Sequence, residues 1–225
     1  MRKRTAWLVF LVAIIFTLVL ITPYLGLDID DSRLEVDGTL QYSVLVVHIF
    51  TAAVALVLGP LQFVPGVRAR RSVHRTIGRV YLFAGVLPSA VATIPVAVWS
   101  GRLMTQLGLT TAAVLWLITG GLAYRAARRR DFTSHRDWMM RNYALTFLAV
   151  TSRVLIPLFL LAQLPFSDDP GLIGEKATSV IPVGQTIGWI VNLAVVEIII
   201  RRRRARPPQN DQTAVPAGHR PTADR

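Results

Sequence analysis

Long apolar runs alternate with short charged ones along most of the chain. Six runs stand out, at about 6–24, 44–64, 77–99, 104–124, 139–164 and 183–200. Each approaches or exceeds the ~20 residues that cross a bilayer core at 1.5 Å per residue. In lipid the backbone has no water to bond, so internally hydrogen-bonded helices are the expected state of these runs. The pattern predicts an all-α polytopic membrane bundle of six transmembrane helices, forming one domain over residues 1–206. The first run follows Met1-Arg2-Lys3-Arg4 as in a secretory signal. However, Thr22-Pro23-Tyr24-Leu25 offers no small-x-small cleavage pattern, so the run reads as an uncleaved anchor. Beyond Arg206 the chain turns polar, and 207–225 is expected to be a disordered cytoplasmic tail that takes His219 out of consideration.

Charge sets the expected orientation. Arg2-Lys3-Arg4, Arg68/Arg70/Arg71/Arg75, Arg125/Arg128/Arg129/Arg130/Arg136 and Arg201–Arg204 fall on one side once the spans alternate. Asp28, Asp30, Asp31, Glu35, Asp37, Asp168, Asp169 and Glu175 fall on the other, opposed only by Arg33, Arg102 and Lys176. The positive-inside rule then predicts both termini in the cytoplasm. Nearly all the basic residues are Arg, with Lys only at Lys3 and Lys176, which suggests a bacterial genome and so an inner-membrane location. Trp7, Trp99 and Trp138, near span ends, suit an interfacial aromatic belt.

Composition agrees: 52% hydrophobic residues coexist with a formal net charge of +12, a pairing ordinary only where apolar spans end in basic loops. Those loops would meet anionic lipid at the cytoplasmic face. A nucleic-acid partner is not expected, because the charges lie in short runs between spans and not on a separate domain. With no Cys, the chain has no disulfide, iron–sulfur cluster, thiolate haem ligand or cysteine nucleophile.

Polar residues inside the spans are the candidate sites, since leaving them unpaired in lipid is costly. His48 lies about five residues into the second run, roughly 8 Å deep. It shares a helical stripe with Thr51, Ala52, Ala55, Gly59 and Gln62, which should face other helices. Arg153 lies well inside the fifth run, on the stripe of Asn142, Thr146 and Ala149, near His48 in depth and with no carboxylate in a span at that level. It is expected to meet carbonyls, an outer-loop acid or the anionic group of a ligand. Glu197, near the cytoplasmic end of the sixth run, is expected to pair with Arg79 or Arg141.

His74 and His135 each stand at the cytoplasmic start of a span. Two imidazoles at one depth could ligate a b-type haem iron, with Gly78 and Gly85 leaving room for the macrocycle. Arg75, Arg79, Arg136 and Arg141 could pair with its propionates or with anionic lipid. The two histidines also mark a weak internal repeat. The second and third runs lead into His74-Arg75, then Arg79 and Tyr81; the fourth and fifth lead into His135-Arg136, then Arg141 and Tyr143. Sites tend to lie between such copies. The tyrosines, at helix ends, are read as interfacial anchors. No H-E-x-x-H, G-x-S-x-G, Walker loop or dinucleotide fingerprint occurs.

Several stretches resemble a family of bacterial predicted membrane proteins known as domain of unknown function 2306. They are His48 with Gly59-Pro60-Leu61-Gln62-Phe63, then His74-Arg75-Thr76-Ile77-Gly78-Arg79-Val80-Tyr81 and His135-Arg136-Asp137-Trp138-Met139-Met140-Arg141-Asn142-Tyr143-Ala144-Leu145-Thr146, then Arg153, Asn192 and Glu197. The resemblance covers roughly His48 to Glu197; it implies the fold and adds Asn192 to the candidates, but implies no activity. The chain is more distantly similar to six-helix b-type cytochromes, the transmembrane ascorbate and ferric reductases. That similarity implies His74 and His135 as one ligand pair, and His48 as half of a second pair whose partner the fourth run lacks.

Three functions follow as expectations. The first is a haem b or quinone-linked redox protein using His74 and His135. The second is a protein that binds or transports a small anion or lipid through an intramembrane site of Arg153, His48 and Gln62. The third is a membrane scaffold.

Overall fold

The computed structural model describes residues 3–34, 36–163 and 173–205, and these are helical almost throughout. The tail at 207–225, Glu35, and the side chains of Asp168, Asp169 and Glu175 lie outside the described residues.

The first span is α1 (Lys3–Ile21) and the second α2 (Thr39–Leu61), followed by the short α3 (Pro65–Ala69). The third is built from α4 (Arg71–Arg79), a π-helical stretch at Val80–Val86, and α5 (Leu87–Trp99). The fourth is α6 (Leu103–Arg128), and the fifth is α7 (Phe132–Thr146) followed by α8 (Leu148–Gln163). The sixth is α9 (Ile173–Arg204). Five of these stretches are long and apolar enough to cross a membrane alone, and α7 with α8, bent by 44°, brings the number to six when the pair is counted as one broken span. Leu8, Leu11, Ile15 and Leu18 on α1, and Ile190, Val195 and Ile198 on α9, are exposed. Such apolar surface belongs against lipid.

The helices reach beyond the apolar runs. The second span begins at Thr39 where hydropathy starts near 44, the third at Arg71 against 77, and the fifth at Phe132 against 139. Backbone bonding continues into the headgroup zone whatever the side chains, whereas hydropathy registers only the hydrocarbon core. Local chemistry sets the ends. Arg130, at φ 61°, turns the chain after α6, and Asp131 caps α7 by accepting from the Ser134 N–H at 3.0 Å. Hydrogen bonding from Ser134, by side chain and then backbone, holds the Asp131 carboxyl below its ordinary range.

Within the bundle, α2 packs on α1 and on the third span, α5 on α6, α6 on α7 and α9, and α9 on α7 and α8. Close approach by small residues supplies the van der Waals contact that lipid-embedded helices depend on. A Cβ added to Gly85 would stand 2.9 Å from the Ala55 backbone nitrogen, and Gly59 lies directly under the Tyr143 ring. Tyr81 and Tyr143 are 0% and 8% exposed, so they are core residues and not the interfacial anchors expected. Tyr81 turns to Asn142 of the fifth span and Tyr143 to Leu56 of the second, instead of toward the headgroups.

Candidate functional site

The middle of the bundle holds a polar network. Tyr81 OH donates to Asn142 Oδ1 at 2.6 Å and lies 2.9 Å from Thr146 Oγ1. Asn142 Nδ2 reaches the Trp116 carbonyl at 2.8 Å and Thr119 Oγ1 at 2.9 Å, and Trp116 Nε1 donates to Thr146 Oγ1 at 3.0 Å. Tyr143 OH donates to the Leu56 carbonyl at 3.2 Å. These bonds join the third, fourth and fifth spans and tie the fifth to the second through Leu56, and every member is buried, so each polar atom needs its partner. Asn142 inside an apolar run was its visible signal; Tyr81 and Trp116 read as ordinary aromatics.

Next to this network, toward the acidic-loop end, lies a cavity of about 310 Å³. All six spans reach it. Thr146 and Trp116 line its deep end, and Tyr24 and Arg33 its loop end; His48, Thr93, Ser152, Arg153 and Gln185 line the rest among apolar residues. The structure therefore brings together the two residues that the sequence placed at one depth. His48 lies nine residues into α2, deeper than its apolar run suggested, at roughly 13 Å along the axis. Its Nδ1 stands 3.1 Å from the Ser89 carbonyl, from Ser89 Oγ and from Thr93 Oγ1, which hold the ring against the third span. Arg153 Nη1 donates to the Ala149 carbonyl at 2.9 Å, and no described carboxylate pairs with it. Two polar atoms beside it lack partners among the described residues: Thr17 Oγ1 and Gln185 Oε1, both buried.

The bend between α7 and α8 brings Arg153 into the cavity. Residues 145–149 contain neither Pro nor Gly. Asn192 of α9 closes the break: its Nδ2 donates to the Ala144 carbonyl at 3.0 Å and its Oδ1 accepts from Thr151 Oγ1 at 2.9 Å. A side chain inserted beside the helical ladder is a recognised cause of such kinks. Asn192, expected as a ligand contact, is a clamp that does not line the cavity.

Gln62 also departs from expectation. It sits at the far end of α2, about 21 Å along the axis from His48, with its side chain over Gly78. It shares the His48 stripe but not its depth, so it is no part of the cavity. It is 4% exposed, and its Nε2 has no described partner.

The arginine-rich end is tied by ion pairs. Glu197 accepts from Arg141 at 2.7 Å and from Arg201 at 3.3 Å; of its two expected partners, Arg141 is the one observed. Asp137, which the sequence reading passed over, is 1% exposed and binds both Arg203 and Arg204, the latter at 2.6 Å. An acid beside five nearby arginines in sequence looks like ordinary loop charge; only the docking of α9 on α7 buries it.

His74 and His135 do meet there, with ring centroids 6.3 Å apart and planes at 85°. His135 Nδ1 lies 2.9 Å from the Ala123 carbonyl, while His74 Nδ1 is buried without a described partner. The room for a macrocycle is absent: the Gln62 side chain fills the space over Gly78, and the Ala55 backbone fills that over Gly85. Arg141 is held by Glu197, and Arg75 Nε donates to the Arg71 carbonyl. Arg79 and Arg136 form no ion pair with a described carboxylate. The packing around this pair does not fit a haem, and His48, at the other end of α2, cannot join it.

No curated protein and no solved structure matches the chain. A family profile does, over residues 45–200, which takes in the bend, the histidine pair and both His48 and Arg153. The chain belongs to the predicted membrane protein family of domain of unknown function 2306.

Proposed function

We propose that this protein binds an amphipathic anion within the membrane, in the cavity shared by His48 and Arg153. The observation that carries the reading is a guanidinium lining an otherwise largely apolar cavity, with no described carboxylate to neutralise it. A guanidinium has five N–H donors, and Arg153 commits one of them to Ala149. An acid head would take up the remainder, and the apolar walls would take an alkyl or ring body. His48, fixed by Ser89 and Thr93, presents its ring to the same space.

The broken fifth span supports the reading, since interrupted helices in membrane proteins commonly carry the binding site. The distribution of arginines supports a bacterial inner-membrane location, with both termini cytoplasmic and the cavity in the outer half. Basic loops at the opposite end would then meet anionic lipid headgroups.

The test is thermal unfolding of the full chain in nonionic detergent. Decanoate is expected to raise the midpoint, and decyltrimethylammonium at the same concentration is not. A ligand at a hundred times its Kd adds about 2.7 kcal/mol, a shift of several degrees. Arg153→Gln should fold and lose the decanoate shift. Equal stabilisation by both amphiphiles, or an unchanged shift in Arg153→Gln, would remove the basis of the proposal.

A further inference from the structure

The cavity holds a second cation that the intramembrane reading alone does not use. Arg33, from the segment between α1 and α2, lines the same space as Arg153, and the two charges act on one another. Arg33 Nη2 donates to the Val19 carbonyl at 3.2 Å, and none of the described carboxylates pairs with it. Two described acids of the same segment make other contacts. Asp28 Oδ1 accepts from the Asp30 N–H at 3.0 Å, and Asp31 Oδ2 lies toward Gly26. Thr17 of α1 also lines the cavity, at 8% exposure, and its hydroxyl has no partner among the described residues.

Two guanidiniums on one cavity repel each other, and a singly charged carboxylate can satisfy only one of them fully. A phosphate monoester carries close to two charges at neutral pH and three strong acceptor oxygens, enough for two arginine forks and a hydroxyl. We propose that the cavity selects a doubly charged phosphoryl head over a singly charged acid, with Arg153 and Arg33 bracketing the phosphate and Thr17 donating to it. This rests on the cavity being the anion site. The volume of about 310 Å³ leaves room for about ten water-sized groups, a head and part of an alkyl body. Both Thr17 and Arg33 lie outside residues 45–200, so this selectivity is a property of the chain's own N-terminal segment, added to the family's core.

The experiment titrates the full chain, in nanodiscs of zwitterionic lipid at pH 8, with four probes read by intrinsic fluorescence and thermal shift. They are decyl phosphate, decyl methyl phosphate, decanoate and inorganic phosphate. The methyl ester keeps the head and removes one charge. Decyl phosphate is expected to bind roughly tenfold tighter than its methyl ester, a difference of about 1.4 kcal/mol. Arg33→Gln should shrink that ratio to near one, weakening decyl phosphate more than decanoate, and Arg153→Gln should weaken all the decyl acids. Inorganic phosphate binding as tightly as decyl phosphate would support the phosphoryl head and assign free phosphate as its source; weaker binding assigns an amphiphile. Equal binding of the two decyl phosphates, or an unchanged ratio in Arg33→Gln, overturns the selection while leaving the anion site standing. If no decyl acid binds at all, the anion site itself is wrong.

Discussion

Tyr81→Phe deletes one oxygen from the centre of the bundle, and its cost can be worked from the contacts it makes. The hydroxyl has a 2.6 Å bond to Asn142 Oδ1 and a 2.9 Å contact with Thr146 Oγ1. Interhelical hydrogen bonds in membranes average about 0.6 kcal/mol each. The larger effect is on the partner. Asn142 Nδ2 keeps Trp116 and Thr119, but Oδ1 loses its hydrogen-bond donor in a site with no exposure, at about 1–3 kcal/mol. Together the substitution should cost about 2–3 kcal/mol. Asn142→Leu should cost a similar amount. The double variant removes both ends of the orphaned bond, so it should cost about 3 kcal/mol, well short of the summed single effects. The assay is reversible unfolding in mixed micelles of rising dodecyl sulfate fraction, followed by tryptophan fluorescence. Additivity to within about 0.5 kcal/mol is what independent sites show. That outcome, or a Tyr81→Phe cost below about 0.5 kcal/mol, would refute the network as described.

Other outcomes follow from the same contacts. Asp137→Asn should destabilise by about 2–3 kcal/mol, because a carboxylate 1% exposed loses charge-assisted bonds to Arg203 and Arg204. Glu197→Gln should cost no more than about 1 kcal/mol, its pairs being partly open to solvent; chemical denaturation of the two variants side by side decides the ranking. Gly59→Ala should impair folding by forcing the Tyr143 ring aside, and Gly59→Ala with Tyr143→Leu should recover part of the loss, as judged by yield and melting point. Protein purified from haem-replete cells should show no stoichiometric b-type spectrum. Such a spectrum, lost in His74→Ala, would contradict the filled space over Gly78 and Gly85.

The spans were legible because hydropathy and charge run on the length scale of a bilayer, and apolar runs of about 20 residues suit helices, not the shorter strands of a closed barrel. The meeting of His48 with Arg153 was legible too, through depth counting along two helices. The limits of that method show at Gln62. It shares a stripe with His48, yet a stripe fixes direction around an axis and leaves position along it free. Asp137 was hidden for a different reason. Its burial depends on the α9 arginines arriving from a segment more than sixty residues away in sequence, and nothing local distinguishes it from a loop acid. The space expected beside Gly78 and Gly85 was misread: glycines mark close approach, and here the approaching groups are Gln62 and Ala55.

A single property of the fifth span explains why some of its polar residues are sealed and others open. In an unbroken helix Asn142, Thr146, Ala149 and Arg153 would form one stripe facing one environment. The 44° bend after Thr146 divides that stripe. Before it, Asn142 is consumed by Tyr81, Trp116 and Thr119; after it, Ala149 and Arg153 line the cavity; Thr146, at the bend, belongs to both. The third span loses regular α geometry at the corresponding place, in the π-helical stretch that carries Tyr81. The third and fifth spans thus both depart from the regular α-helix beside the network they share. In each the departure aims polar groups inward that a straight helix would have placed elsewhere. The network anchors the bend, and the bend holds the Arg153 guanidinium at a depth where no described acid pairs with it. The proposed anion-binding role rests on that placement, and under it Arg153 and not His74 or His135 is the residue on which function should depend.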